Sequence, residues 1–408
     1  MKAESKKQFN EAESSKLDPS SFGLSALSFK LKIGYDGKRA ANNLTGLGNY
    51  SRSLIEALAK EFTQNQYFIY TEKIKTTIKD LPLFKLPNVF LKFPMQEFFK
   101  VAWRSFHIKN QLLKDEIDLF HGLSHEIPFG LRNINIKTIV TIHDLIFLRK
   151  PNYYKLIDRI IYKSKSKYAC KHADRIIAIS EKTKEDIVEF YGIAPEKIDV
   201  IYQSCDDSFK KLLSDEEKNR VRIKYQLPDN YILNVGTIEE RKNLLLIIKA
   251  LPDIDATFKL VVVGKETNYI KLIKNEIVNL NLQNRVTFLK HIPFNDLPAI
   301  YQLADLFVYP SLYEGFGIPI IEALYGGVPV IAATGSCLEE AGGKGSMYIN
   351  PNDDTALAVA ANKILENKIL QSEMKEKGWK YVQQFNDDIV TNQLMNCYHQ
   401  TLKVNKST

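Results

Sequence analysis

No stretch of the sequence approaches the roughly 18 consecutive apolar residues of a membrane-spanning helix, and mean hydropathy is −0.22. A transmembrane segment is therefore not expected. The first 30 residues are rich in Ser, Lys and Glu and hold no apolar core, which argues against a secretory signal. Cysteine is scarce: Cys170, Cys205, Cys337 and Cys397 stand far apart, with no C-x-x-C pair. A disulfide framework and a zinc ribbon are both left without support, and a reducing cytoplasm fits best. Only 19 Gly and 15 Pro occur among 408 residues, with 45% hydrophobic and 25% charged residues. Collagen, coiled coil and disorder do not look like that.

What is present is an uneven charge. The formal net charge is +8, and residues 31–210 account for it with 29 Lys and Arg against 21 Asp and Glu. Residues 211–408 carry 22 against 23. A basic half points to an anionic neighbour: a phosphorylated acceptor, an acidic membrane surface or a nucleic acid. No RNP, KH, helix-turn-helix or zinc-finger pattern appears, so nucleic acid is not expected as a partner.

Length suggests two or three domains, with two the simplest split. Order should begin near Leu31, where Leu31–Tyr35 alternates like a first strand. Strands follow at Tyr67–Tyr70, Val89–Phe93, Leu119–His121, Thr138–Ile142, Arg175–Ile179 and Val200–Tyr202, with helices near 47–61, 97–114, 154–172 and 181–191. Ser214 with Glu217 predicts a capping box. A second series follows: Tyr231–Val235, Lys259–Val263, Val286–Leu289, Leu306–Tyr309, Val330–Ala332 and Met347–Ile349. Strands alternating with helices imply βαβ units and parallel sheets. The expected fold is α/β: two tandem Rossmann-like, doubly wound domains with a cleft between them. The expected division is a polar tail (1–30), a first domain (31–205), a second domain (206–385) and a C-terminal helix (386–408).

The densest motif is residues 306–332, which read strand, loop, helix, strand. Pro319 suits a helix start and Gly326-Gly327 a helix exit. Gly315 and Gly317 free backbone N–H groups just before a helix N-terminus, where anions and polyols are favoured. Glu314 and Glu322 flank this turn, and each could grip a vicinal diol. Gly236-Thr-Ile-Glu-Glu-Arg241-Lys242-Asn243 links another strand to a helix, and its two cations could hold a diphosphate. Gly46-Leu-Gly48 opens a helix after the first strand. It is not a dinucleotide fingerprint, because Ser51 stands where the last glycine should be. His143-Asp144 closes the strand Thr138–Ile142, at an end from which cleft residues emerge. His121 and His125 have i, i+4 spacing, but Gly122 and Pro128 argue against a helix, and H-E-x-x-H is absent.

Taken together, these segments resemble the retaining glycosyltransferases of the GT-B fold, in the large family 4 group. The most specific signal is Glu314 to Glu322, the E-x7-E pattern within EGFGIPIIEA. Gly236 with Arg241-Lys242-Asn243 looks like the family's donor-phosphate loop, Gly46-Leu-Gly48 like its first glycine loop, and His143-Asp144 like its cleft dipeptide. Ala178-Ile-Ser180-Glu181 also matches a family segment. One departure is Gln203-Ser-Cys205-Asp206, where many members have Asn-Gly-Val-Asp.

The resemblance implies an enzyme moving a hexose with retention from a nucleoside-diphosphate sugar to a glycan or lipid-linked acceptor in polysaccharide or cell-envelope synthesis. The donor would be a GDP- or UDP-sugar, GDP-mannose among them. By carry-over, His143, Arg241, Lys242 and Glu314 would be catalytic. Gly46, Gly48, Gly236, Arg241, Lys242, Gly315, Phe316, Gly317 and Glu322 would bind the donor, with Glu322 on the ribose. No metal and no cofactor are implied, because Arg241 and Lys242 supply the charge. The C-terminal helix would pack back on the first domain. Residues 89–109 and 149–175 mix aromatics with Lys and Arg, which reads as an anionic membrane surface contact. A cytoplasmic protein, peripheral on the inner face of the membrane, is the expected setting. Same-architecture alternatives are a sugar-nucleotide epimerase, a phosphorylase, or a non-catalytic sugar-nucleotide-binding subunit.

Overall fold

Continuous apolar runs such as Leu260-Val-Val-Val263 cannot present a polar face, so they must be covered on both sides, which is the position of strands in parallel sheets. A computed structural model, describing residues 30–94 and 103–403, builds two such sheets. The first comprises β1 (Lys32–Asp36), β2 (Gln66–Tyr70), β3 (Val89–Lys92), β4 (Leu119–Gly122), β5 (Lys137–Ile142), β6 (Arg175–Ala178) and β7 (Ile198–Val200), in the order β3-β2-β1-β4-β5-β6-β7. The second comprises β8 (Tyr231–Val235), β9 (Lys259–Val263), β10 (Val286–Leu289), β11 (Leu306–Tyr309), β12 (Val330–Ala333) and β13 (Met347–Ile349), in the order β10-β9-β8-β11-β12-β13. All pairs are parallel; Gly34, for example, sits between Phe68 and Phe120. Strand order reverses between β1 and β4, and again between β8 and β11. Ligands of such sheets bind at the carboxyl ends of those strands.

Three expectations shift. The strand expected at Val200–Tyr202 is instead Ile198–Val200, because the chain leaves the sheet there and Tyr202 stacks on Phe316 at 5.3 Å. The helix expected from 97 is, within the described residues, a wide turn over Trp103–His107 and an α-helix over Ile108–Lys114. The basic helix starts at Leu156, after a 3-10 turn at Pro151–Tyr153. The polar tail expected at 1–30 lies, apart from Lys30, outside the described residues, as do Phe98, Phe99 and Lys100.

Gln203 to Leu213 connects the halves, after which Ser214 and Glu217 cap the Asp215–Tyr225 helix reciprocally. The final helix, Asp387–Lys403, returns to the first half. Val390, Leu394, Met395, Cys397 and Tyr398 enter the core built around Ile33, Ile55 and Leu58. Tyr398 reaches the His121 ring at 2.7 Å, and Thr391 and Asn392 both bond Glu61. The C-terminal helix thus packs back on the first half.

Candidate active site

Two segments leave the second sheet at its switch point. After β8 the chain turns at Gly236 (φ 152°), makes one 3-10 turn over Glu240–Lys242, and passes Asn243 into the Leu244–Ala250 helix. Asn243 fastens this turn by donating to the carbonyls of Pro310 and Pro351, at 3.1 and 2.8 Å. The second segment, after β11, runs from Pro310 to Gly317 and enters the Ile318–Tyr325 helix with Pro319 in its first turn.

These segments are joined by charge. The Glu314 carboxylate accepts from Lys242 Nζ at 2.6 Å and faces Arg241 Nη1 at 2.7 Å. Lys242 also donates to Tyr309 Oη at 2.6 Å, and Arg241 to the Tyr313 carbonyl at 2.8 Å. Burial alone would raise the pKa of Glu314, but Lys242 and Arg241 hold it down to about 2. Burial disfavours both cations, and Glu314 more than restores them, so both stay charged. The result is a permanently ionised cluster at the carboxyl ends of β8 and β11.

Glu322 lies one turn into the helix and has the opposite electrostatics. It accepts from Tyr301 Oη at 2.7 Å and, among the described residues, forms no ion pair. Burial pushes its pKa up to about 7, and Asp206 adds to the shift.

The loop that carries Glu314 touches the first half closely. A Cβ on Gly315 would lie 2.1 Å from the His143 carbonyl oxygen, so only glycine allows this approach. Phe316 is buried against Tyr202 and Phe385, and Cys337 Sγ donates to the carbonyls of Glu314 and Phe316 at 3.1 and 2.9 Å. Gly317, the helix N-cap, has φ 149°.

In the first half, Gly46 and Gly48 begin the Gly46–Glu61 helix and do different work. A Cβ on Gly48 would strike the Asn43 carbonyl oxygen at 1.9 Å, whereas a Cβ on Gly46 meets nothing within 4 Å. Gly48 lets the turn close, and Gly46 keeps space open. Arg52, which no sequence signal singles out, fastens this turn through Ala40, Asn43 and Asn49.

His143 is satisfied by Leu123 and Gln203, not by Asp144. Its Nε2 meets the Leu123 carbonyl at 2.8 Å and its Nδ1 meets Gln203 Nε2 at 2.9 Å. A carbonyl only accepts and an amide nitrogen only donates, so the ring carries its proton on Nε2 and is neutral. Burial and the neighbouring His125 push its pKa down to about 3. Both nitrogens are engaged, so the ring does not offer a free base. His121 is likewise occupied, by Tyr398 and Thr141.

A cleft of about 750 Å³ brings Gly46, Tyr50, His143, Gln203, Ile318 and Glu322 to one space. Arg241, Lys242 and Glu314 do not line it. They form a separate cluster, and Asp144, packed next to Gly315, feels the charges of both Arg241 and Glu314. Gln203 holds His143, Tyr301 holds Glu322, Tyr309 holds Lys242 and the Tyr313 carbonyl holds Arg241. The tyrosines lie in or beside the densest motif, so proximity is their only sequence signal. The chain also contains one D-x-D triplet, Asp253-Ile254-Asp255. It sits on a turn before β9, at the amino end of that strand and away from the cleft, where Asp255 caps Thr257.

A family model described as Glycosyl transferases group 1 matches residues 215–381, and one described as Glycosyltransferase Family 4 matches residues 44–209. The chain is 33% identical over 242 residues to the O-antigen chain mannosyltransferase RfbU of Salmonella typhimurium, covering 59% of this chain and 63% of that protein. It is 28% identical over 374 residues to the O-antigen chain mannosyltransferase B of Escherichia coli, covering 87% and 96%. The chain therefore spans under two thirds of the first relative and nearly all of the second. Among solved structures, a glycosyltransferase from Rickettsia africae superposes with TM-score 0.73 at 20% identity, covering 92% of this chain and 99% of that one. Anabaena HepE in complex with UDP and glucose superposes with TM-score 0.71 at 19% identity, covering 91% and 100%.

Proposed function

The chain belongs to the group 1 glycosyltransferases of the GT-B fold, and from that premise we propose the reaction: transfer of a hexose, with retention, from a nucleoside-diphosphate sugar to a hydroxyl of a glycan or lipid-linked acceptor in cell-envelope polysaccharide synthesis. The observation that carries this reading is the Arg241–Glu314–Lys242 cluster at the second sheet's switch point, with Glu322 on the cleft one turn into the helix that follows the Glu314 loop. The relatives named as O-antigen mannosyltransferases favour mannose as the sugar, and hence GDP-mannose as the donor.

In this reading Glu322 accepts hydrogen bonds from the ribose hydroxyls. Arg241 and Lys242 neutralise the charge that develops on the diphosphate as the glycosidic bond breaks, the kind of preorganised stabilisation that supplies much of an enzyme's rate. Glu314 serves twice. It holds both cations in register, and with the N–H groups of Phe316 and Gly317 it orients the sugar. The acceptor enters from the first half, past Gly46, Gly48 and the His143 face. A donor phosphate oxygen, not His143, takes the acceptor proton during same-face attack.

Association with an anionic membrane surface belongs to the same reading, through a smaller set of residues than the sequence suggests. Lys92 pairs with Asp115, Arg104 with Asp36 and Glu126, Lys165 with Glu126, and Trp103 is buried. The Leu156–His172 helix supplies the surface instead. Leu156, Ile157, Ile160 and Ile161 are exposed along one stripe, with Lys155 and Lys163 at its edge. No helix among the described residues is long and apolar enough to cross a membrane.

Calorimetric titration with GDP, UDP and ADP tests the donor site. Micromolar binding of GDP, weakened in Lys242→Ala, is the expected result. Absence of binding by all three would refute the reading.

A further inference from the structure

The loop Tyr313–Gly317 is gripped from two sides. On the second-half side, Arg241 donates to the Tyr313 carbonyl at 2.8 Å and pairs with Glu314 at 2.7 Å. On the first-half side, the Glu181–Tyr191 helix and its cap reach the loop twice, and a second-half carboxylate braces the start of that helix. Tyr313 Oη donates to Asp186 Oδ2 at 2.6 Å, with both side chains buried. Ser180 Oγ donates to the Gly315 carbonyl at 2.8 Å. Glu340, one helix further along the second half, accepts from the N–H groups of Glu181 and Lys182 at 2.7 and 3.0 Å. Asp186 is itself fixed by Arg149, which donates to its other oxygen at 2.6 Å.

These contacts form one continuous path: Arg149, Asp186, Tyr313, then through the Tyr313 carbonyl to Arg241 and Glu314. A buried carboxylate with both oxygens matched is a rigid anchor, because every displacement leaves a charged group unpaired. A buried tyrosine hydroxyl needs a hydrogen-bond partner, which its own half could have supplied. Instead it is spent across the boundary between the halves.

We propose that Asp186 is a positioning residue for the donor loop: through Tyr313 it seats the segment that carries Glu314 against Arg241, so that the first half completes a donor site whose charged groups lie in the second. The inference rests on the donor reading above. It separates two properties that a self-contained second-half site would keep together. Nucleotide affinity depends on Glu322, Arg241 and Lys242. Turnover depends also on Asp186 and Tyr313.

The test uses the full chain and the variants Tyr313→Phe, Asp186→Asn and their combination. GDP and UDP affinity is measured by calorimetry, and release of nucleotide from GDP-mannose or UDP-glucose, with water as acceptor, gives kcat and KM. Hydrogen exchange over residues 310–317 is followed with saturating nucleotide. The expected result is nucleotide affinity and KM within twofold of wild type, kcat lowered at least tenfold, and faster exchange in the loop. The double variant should be no slower than the slower single variant, because both substitutions break one contact. Wild-type kcat and wild-type exchange in both single variants would overturn the inference while leaving the donor reading intact. So would parallel losses of affinity and kcat, which would assign Asp186 a general structural role. A wild-type protein that binds neither nucleotide would overturn the donor reading, and this inference with it.

Discussion

Glu314 and Glu322 stand on one loop-and-helix segment and are chemically opposite. Glu314 sits between two cations and stays ionised, and Glu322 is desolvated with Asp206 near it and a tyrosine hydroxyl as its partner, so its pKa rises to about 7. The difference sets what each site should do when perturbed. A charge-assisted hydrogen bond contributes about 1.5–3 kcal/mol, roughly 10- to 150-fold in affinity at 1.4 kcal/mol per decade. Lys242→Ala should therefore weaken nucleoside-diphosphate binding by about that factor in calorimetry, and lower turnover further. The fold should persist by circular dichroism, because Glu314 keeps Arg241 as a partner. For Glu322, the folded pKa stands above the unfolded value of 4.5. Its contribution to stability is complete below that unfolded value and is lost as pH rises through about 7. Melting temperature of wild type relative to Glu322→Gln should fall over that window. Nucleotide affinity should move the other way, rising as the carboxylate forms, and should be flat with pH in the glutamine variant. Identical pH profiles for the two proteins would remove Glu322 from the ribose contact.

At the scale of elements, the two glycine turns make a controlled pair. Gly315→Ala places a Cβ 2.1 Å from the His143 carbonyl oxygen, and backbone there cannot yield as a flexible side chain can. Activity should fall more than 100-fold, with a melting temperature lowered by several degrees, since overpacking typically costs about 1–3 kcal/mol. Gly46→Ala meets nothing within 4 Å, so its melting temperature should match wild type while turnover falls, because the lost space lies in the cleft. A Gly46→Ala protein with full turnover would show that the space is not used. Much of this framework is legible in the sequence. β8, β9 and β11 fall where their apolar runs place them, because a strand buried on both faces has few other places to go. β7 sits two residues earlier than its pattern suggests, since Tyr202 looks like a strand residue but buries itself on Phe316 across the boundary. Periodicity reports that a side chain is covered and is silent about what covers it. The same limit hides the Gln203–His143 contact, which joins residues 60 positions apart, and the clamp of both cations on Glu314. Composition likewise presents Lys92, Arg104 and Lys165 as free positive charge, although each is matched by a carboxylate distant in sequence.

At the scale of the whole molecule, the charge asymmetry and the exposed stripe on the Leu156–His172 helix make a prediction about where the protein works. The relative weight of the two is calculable. Burying an Ile or Leu side chain fully contributes about 1.5–3 kcal/mol, whereas a basic residue at an anionic surface adds about 1 kcal/mol and is screened by salt. Leu156, Ile157 and Ile160 are each more than half exposed, so the apolar stripe has more to gain from a membrane than Lys155 and Lys163 do. Ile157→Ser with Ile160→Ser should therefore reduce sedimentation with phosphatidylglycerol-containing vesicles more than Lys155→Glu with Lys163→Glu does. The serine variant should retain its salt sensitivity, and the glutamate variant should lose it. GDP affinity should be unchanged in both, because neither pair lines the cleft. Dominance of the lysine pair would mean that the helix is held at the headgroups by charge, with its isoleucines left in water. Equal sedimentation of all three proteins would take the helix out of membrane binding, and leave its four apolar residues to a protein partner or to the acceptor's own lipid.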